Sequence, residues 1–263
     1  MPTTPTVLGV LSALVCASAF GVNLQHRLAE HHKSRETGDH VRLIISILVT
    51  FTAVVLGLLI SNVKSSFDQF DSRLRAFSGD IIELDIRLRE FGQDAAPIRA
   101  ELRTYVAAAI ADTWRNEPPP SGDYPRFSPI PSLEREQFGA MLIDADIAIR
   151  QLDPTDTFHK RLAALIENRM SETMAHRRLL IETAHDTITW PLLLAMTAWL
   201  VIVFAVFGLI APRNVVVYAT ILLCALSFSS AIFFILEYDT PTDGFIYVSS
   251  ESLRDALRHI DAQ

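Results

Sequence analysis

The stretch 43–91, LIISILVTFTAVVLGLLISNVKSSFDQFDSRLRAFSGDIIELDIRLREF, changes character once, with no helix breaker at the change. Its first 21 residues, 43–63, carry no charge, and about 20 apolar residues let a helix cross the hydrocarbon of a bilayer. From Lys64 the polar residues return, and Phe67, Phe70, Leu74, Phe77, Ile81, Leu84, Leu88 and Phe91 recur at alternating steps of three and four. That is the a/d spacing of a heptad seam. Nothing between Val63 and Phe67 stops a helix, so the spacing predicts one rod from about Val41 to Phe91. At 1.5 Å per residue it is roughly 75 Å long and projects well beyond the bilayer. Gly92 is placed to end the rod, and Asp94 with Pro97 to start the next helix.

Three more charge-free runs flank this stretch, at 7–24, 190–210 and 214–236. The first is the shortest. Its N-terminal tail MPTTPT lacks the basic residues of a signal peptide, and Val22-Asn23-Leu24 is a poor cleavage site, so it is expected to be retained. Four spans put both termini on one side, together with the polar region 64–189, which holds 16 Lys/Arg against 21 Asp/Glu. After Gly92 a helix shows Ile98, Leu102, Val106, Ile110 and Trp114 on one face. It runs into a tip loop broken by Pro118, Pro119, Pro120, Pro125, Pro129 and Pro131. Ser132 is placed to cap a helix to about Gln151, with Phe138, Leu142, Ala145, Ile149 and Leu152 inward. A last long helix from near Asp156 shows Leu162, Ile166, Met170, Met174, Ile181 and Ile188, and is expected to feed the third span with a kink at Pro191. A short turn and a helix bearing Leu253, Ala256, Leu257 and Ile260 fill 237–263, docked on the rods or at the membrane surface. The fold class is all-α throughout 1–263: four transmembrane helices and a large helical extramembrane region of long antiparallel rods. The seam either packs inside one chain or gathers copies round an axis.

Composition agrees and narrows the function. Half the residues are hydrophobic, mean hydropathy is +0.28 and net charge is −7. An apolar, acidic chain argues for a lipid bilayer as partner and against nucleic acid, whose phosphates demand positive charge. Cys16 and Cys224 both sit in apolar runs and read as small buried hydrophobes. No nucleophile elbow, zinc-helix motif, phosphate-cradling glycine loop or paired-cysteine motif occurs. The reading therefore assigns no catalytic residue, no cofactor and no enzyme activity. His26, His31, His32 and His40, with Glu30, Glu36 and Asp39, have the residue types of a metal or pH-sensing cluster, but their spacing matches no standard zinc pattern. No metal site is assigned to them.

One series in the second span stands out. Ser46, Thr50, Ala53, Gly57, Ser61 and Lys64 fall at steps of four, three, four, four and three, a stripe of small or polar residues on a Leu/Ile/Val helix. Such a face lines a water-filled pore, or lets helices approach closely in lipid. The fourth span repeats it with Thr220, Cys224, Ser227 and Ala231, which suits packing against a neighbour. No charge interrupts any span, which argues against a proton-coupled transporter or a voltage sensor.

Several segments together carry a resemblance. They are HRLAEHHKSRETGD in the first loop, VLGLLISNVKSSFD, LDIRLREFGQDAAPIRAELRTYV, WLVIVFAVFGLIAPRNVVV and LEYDTPTDGFIYVSSESLRDAL. In this order they resemble the bestrophin-like family of small, mostly bacterial membrane proteins. Ile86 and Thr242 depart from its usual residues. The family is distantly similar to bestrophins, oligomeric anion channels with four spans and a helical domain between spans two and three. The resemblance implies a homo-oligomeric channel passing small ions, anions among them, in a bacterial inner membrane with the helical region cytoplasmic. Arg27, Lys33, Arg35 and Arg42 in the first loop argue for the reverse orientation. The reading adopted is a bestrophin-like ion channel; the competing reading is a non-conducting scaffold or sensor whose helical stalk binds a partner.

Overall fold

The computed structural model describes residues 3–27, 35–126, 136–184, 190–212 and 214–262. They form eight α-helices: α1 (Thr3–Arg27), α2 (Arg35–Phe91), α3 (Ala96–Thr113), α4 (Glu136–Arg150), α5 (Thr157–Ala184), α6 (Trp190–Ile210), α7 (Val215–Tyr238) and α8 (Glu251–Asp261). No strand occurs among the described residues. The rod is one unbroken helix of 57 residues, a turn or two longer at its start than its apolar pattern. Gly92 ends it at φ +97°, where side chains are strained, and donates its N–H to the Arg89 carbonyl at 3.1 Å. A 3-10 turn over Gln93–Ala95 leads into α3, whose first turn holds Pro97. Asp94 lies in that turn; the cap of α3 is Ala95, with no side-chain bond.

Two compact units divide the chain, Met1–Ser65 with Thr187–Asp239, and Ser66–Asp186 with Thr240–Gln263. The first holds α1, the N-terminal part of α2, α6 and α7. Each is long and apolar enough to cross a membrane, yet only 22% to 33% of each apolar stretch is buried inside the chain. Lipid or protein must cover the remainder, since that much contiguous apolar surface is not stable in water. Leu14, Met196, Leu200, Phe204, Ala225, Ile232 and Ile235 form the core. Helix α1 packs along α6 and α7. It runs in the same direction as α6, with Gly21 against Ala205 and Leu209, and the Gln25 Nε2 donating to the Ala211 carbonyl at 3.4 Å. Here backbone meets backbone. A Cβ on Gly21 would stand 1.9 Å from the Ala205 carbonyl oxygen, and one on Gly208 2.0 Å from that of Ser18. Asn214 caps α7 by accepting the Val216 N–H at 2.9 Å. The series Thr220, Cys224, Ser227 and Ala231 is exposed or half-buried, whereas Ala225, Ser229 and Ile232 make the packed face of α7. Cys224 still packs against the edge of that core, while Thr220 and Ser227 stand exposed.

In the second unit Phe70, Leu74, Phe77, Ile81, Leu84, Leu88 and Phe91 are all buried. The seam packs inside one chain, and its partner is a bundle. It shares one core with α3, α4, α5 and α8. Helix α3 is buried at every position from Tyr105 to Ile110, which no one-sided helix can be. Rings meet edge-on at 6.4 Å between Phe77 and Tyr105 and at 6.0 Å between Tyr105 and Phe138. Burial pushes the Tyr105 phenol up, against the pull of the Arg177 guanidinium. Asp156 caps α5 through Oδ1, which accepts from Phe158 at 2.9 Å and His159 at 3.1 Å. The expected inward residues Met174 and Ile181 are half-buried while Leu180 is buried, because successive steps of four rotate off a helix face. Pro129, Pro131, Ser132 and Ile188 lie outside the described residues, and so does the expected join of α5 to the third span.

Candidate functional site

Ser46, Thr50, Ala53, Gly57 and Ser61 all lie exposed on α2. The face that α2 turns into its own unit is a different one, made by Ile45, Thr52, Leu59 and Val63. At 100° per residue these two faces are well over a right angle apart. A Cβ on Gly57 would meet nothing within 4 Å. Between the two faces run Ile44, Ile47, Phe51, Val54 and Leu58, also exposed, with Phe51 tilted against Trp199 of α6 at 5.2 Å. The Ser46 hydroxyl donates to the Arg42 carbonyl and that of Thr50 to the Ser46 carbonyl, both at 2.8 Å. The protons of these two hydroxyls are thus held inside the helix, and their remaining lone pairs turn outward.

The histidine cluster falls largely outside the described residues: His31 and His32 entirely, and His26 in its side chain. His40 is exposed on the first turns of α2. Among the described residues no three His, Cys, Asp or Glu side chains converge as metal ligands.

Sequence reasoning did not single out the polar anchorage of α8 in the second unit. Asp85, fully buried, accepts from Arg99 Nε at 2.7 Å and from Arg89 Nη2 at 3.0 Å. The same two guanidinium groups reach the last turn of α8, at the His259 carbonyl (3.3 Å) and the Ile260 carbonyl (3.5 Å). Arg103 adds Asp261, Nε to Oδ1 at 2.5 Å. At the opposite end Glu117 accepts the Ser250 N–H at 3.1 Å, the Ser250 hydroxyl, and Arg254 Nε at 3.1 Å. Acid at the N-terminus and base at the C-terminus match the helix dipole. Trp114, nearly fully buried, donates from Nε1 to the Val248 carbonyl at 2.6 Å and fixes the chain leading into α8. The four apolar residues of α8 are buried in the core of this unit, so it docks there. The i,i+4 pair Asp85–Arg89 was the one legible sign; the remaining partners are 14 to 170 residues apart.

Burial pushes the Glu117 carboxyl up, but the bonds from Ser250, Arg254 and Ser249 outweigh it and hold it below the usual glutamate range. A carboxyl lowered on folding stabilises above its unfolded pKa, and the contribution is lost as pH falls toward the folded value. The α8 anchorage is therefore expected to loosen below the ordinary glutamate pKa. Amide exchange in 249–254, the end that Glu117 holds, measures it across that range, and in Glu117→Gln the acid-dependent loosening there should shrink. An identical pH profile in both proteins would refute the assignment.

These features define a helical integral membrane protein with four span candidates and a helical unit between the second and third. The Bestrophin-like domain family matches residues 12–253, and the chain belongs to it. A comparison with curated protein sequences finds no match. Among solved structures, the chain is similar to a bacterial bestrophin homologue from Klebsiella pneumoniae, with TM-score 0.68, 15% identity and 97% of each chain covered. A point mutant of that homologue gives 0.69, 15% and 98% of each. A structure described as a membrane protein gives 0.65 at 16% identity, covering 97% of this chain and 96% of the other. At these identities the likeness carries the fold.

Proposed function

We infer that the protein is a homo-oligomeric ion channel of the bestrophin type, with the stripe Ser46, Thr50, Ala53, Gly57 and Ser61 lining the conduction path. The observation that supports this is exposure. Were the stripe there for packing inside the chain, α1, α6 or α7 would cover it, and its residues lie open instead. Copies arranged about an axis would cover the wide apolar sector of α2 and leave the small, oxygen-bearing face toward water. The outward lone pairs of Ser46 and Thr50 offer no donor to an anion. Helical region and spans take the sides implied by the family, with the former cytoplasmic.

Accessibility tests the reading. With Cys16 and Cys224 replaced by Ala, Thr50→Cys is expected to react with a small aqueous thiol reagent in liposomes. Leu59→Cys is the control, because Leu59 is 4% exposed and packed inside its unit. Leu58 would be a poorer one, being 65% exposed. Thr50→Trp should abolish ion flux through the purified protein while leaving its oligomer size unchanged. An unreactive Thr50→Cys, with no flux from the parent protein, would favour a non-conducting scaffold.

A further inference from the structure

Two surfaces of the second unit carry charges of opposite sign that the unit itself does not pair. On one, Ala100, Glu101 and Thr104 of α3 with Met141 and Asp144 of α4 line a groove of about 320 Å³. Glu101 and Asp144 are exposed and form no ion pair with any described residue. Ile143 and Ile147, on the same helix as Asp144, are exposed as well. On the other surface, the first turns of α5 expose Phe158, Lys160, Arg161 and Leu165, with Phe158 63% and Leu165 56% open. Lys160 and Arg161 likewise form no ion pair with any described residue. By contrast, Arg87, Arg150 and Arg258 are paired with carboxylates of their own helices.

We propose that the α3–α4 groove is the docking surface for the N-terminal end of α5 from a second copy of this chain. Glu101 and Asp144 then face Lys160 and Arg161 of the next copy, and its Phe158 and Leu165 cover the apolar part of the groove. The proposal rests on the homo-oligomeric part of the reading above and names the surfaces that join the copies. Charge complementarity selects the occupant. One chain carries both halves of the contact, and either surface set against itself would bring like charges together. Unlike surfaces meet, so the contact is heterologous. Copies inserted in one membrane in one orientation are related by rotation about its normal, and the contact closes into a ring. Burial of Phe158 and Leu165 supplies most of the attraction, because exposed ion pairs contribute little; the charges set the partner and the register.

The test is cross-linking between copies of the full-length chain in the membrane, with Cys16 and Cys224 replaced by Ala. Two differently tagged forms are co-expressed, one with Ala100→Cys and the other with Ala164→Cys, and treated with a short bismaleimide. Both positions are exposed, the first in the groove and the second within a turn of Lys160 and Arg161. A covalent species carrying both tags is expected, and either variant expressed alone should give none. Lys160→Glu with Arg161→Glu in the Ala164→Cys form should lower its yield at least about threefold, the worth of two exposed ion pairs. Glu101→Lys with Asp144→Lys in the other form should restore it. Native mass spectrometry of the parent reads the oligomer independently. A parent oligomer without the two-tag product, or with equal product from either variant alone, would overturn this surface and leave the assembly standing. A yield indifferent to the charge reversals would overturn it too. A monomeric parent would overturn the homo-oligomer, and this proposal with it. The measurement reads assembly alone, so an absence of ion flux bears on the channel and not on this surface.

Discussion

Gly208→Val is expected to unseat α1 from α6 and to lower the melting temperature of the detergent-solubilised protein by many degrees. The first carbon of any side chain at 208 falls 2.0 Å from the Ser18 carbonyl oxygen, with the Val22 nitrogen at 3.0 Å. Both obstacles are backbone, so no rotamer relieves them; the helices must separate by more than 1 Å along a contact that Gly21 shares. Overpacking a fitted interface costs about 1–3 kcal/mol, and here the upper end is expected because neither helix can yield locally. Gly21→Val should behave alike. Gly9 sits on the same helix α1 with nothing within 4 Å of its would-be Cβ, so Gly9→Ala should leave melting unchanged. Equal melting of Gly208→Val and the parent would mean that α1 does not lie on α6 as described.

Phe77→Asp is expected to unfold the second unit while the spans remain membrane-inserted. Phe77 is 2% exposed, at the middle of the seam and edge-on to Tyr105. Losing a buried phenylalanine costs about 3–5 kcal/mol in lost burial and cavity together. A carboxylate left there adds a desolvation penalty of several kcal/mol with no partner provided. The sum rivals the ~5–15 kcal/mol by which a whole domain is held folded. Protease should then cut the region 66–186 rapidly, and far-ultraviolet dichroism should lose part of its helical signal. Insertion depends on the apolar runs, so membrane fractionation should not change. Phe77→Leu keeps most of the volume and should cost less than about 1.5 kcal/mol. Parent-like proteolysis of Phe77→Asp would place the seam outside the core.

Local order was legible in sequence wherever one periodicity met one environment. The four spans, the unbroken passage from span to rod, the stop at Gly92 and the one-sided helix α8 all follow from apolar spacing and a few special residues. The stripe on α2 was legible for the same reason: small residues in phase stand out against large apolar ones. What faces it was not, because small residues serve a packed interface and a watery one equally well. Exposure in the folded chain shows only that α1, α6 and α7 do not cover it.

The sequence by itself determined the fold class, the number of spans and which face of each rod is apolar, since those are local properties of a helix. Only the tertiary structure decided what each face meets. Helix α3 looked one-sided, yet Ala107, Ala108 and Ala109 let it sink into the centre of its bundle, and alanine shows no contrast between faces. Gly21 and Gly208 matter because α1 and α6 meet across them, a contact that local sequence does not encode. Asp85, Arg99 and the end of α8 come together from far-apart positions, and a charge does not announce its partner. Helical periodicity repeats within a few residues and can be read along the chain; contact between distant faces depends on how the bundle closes.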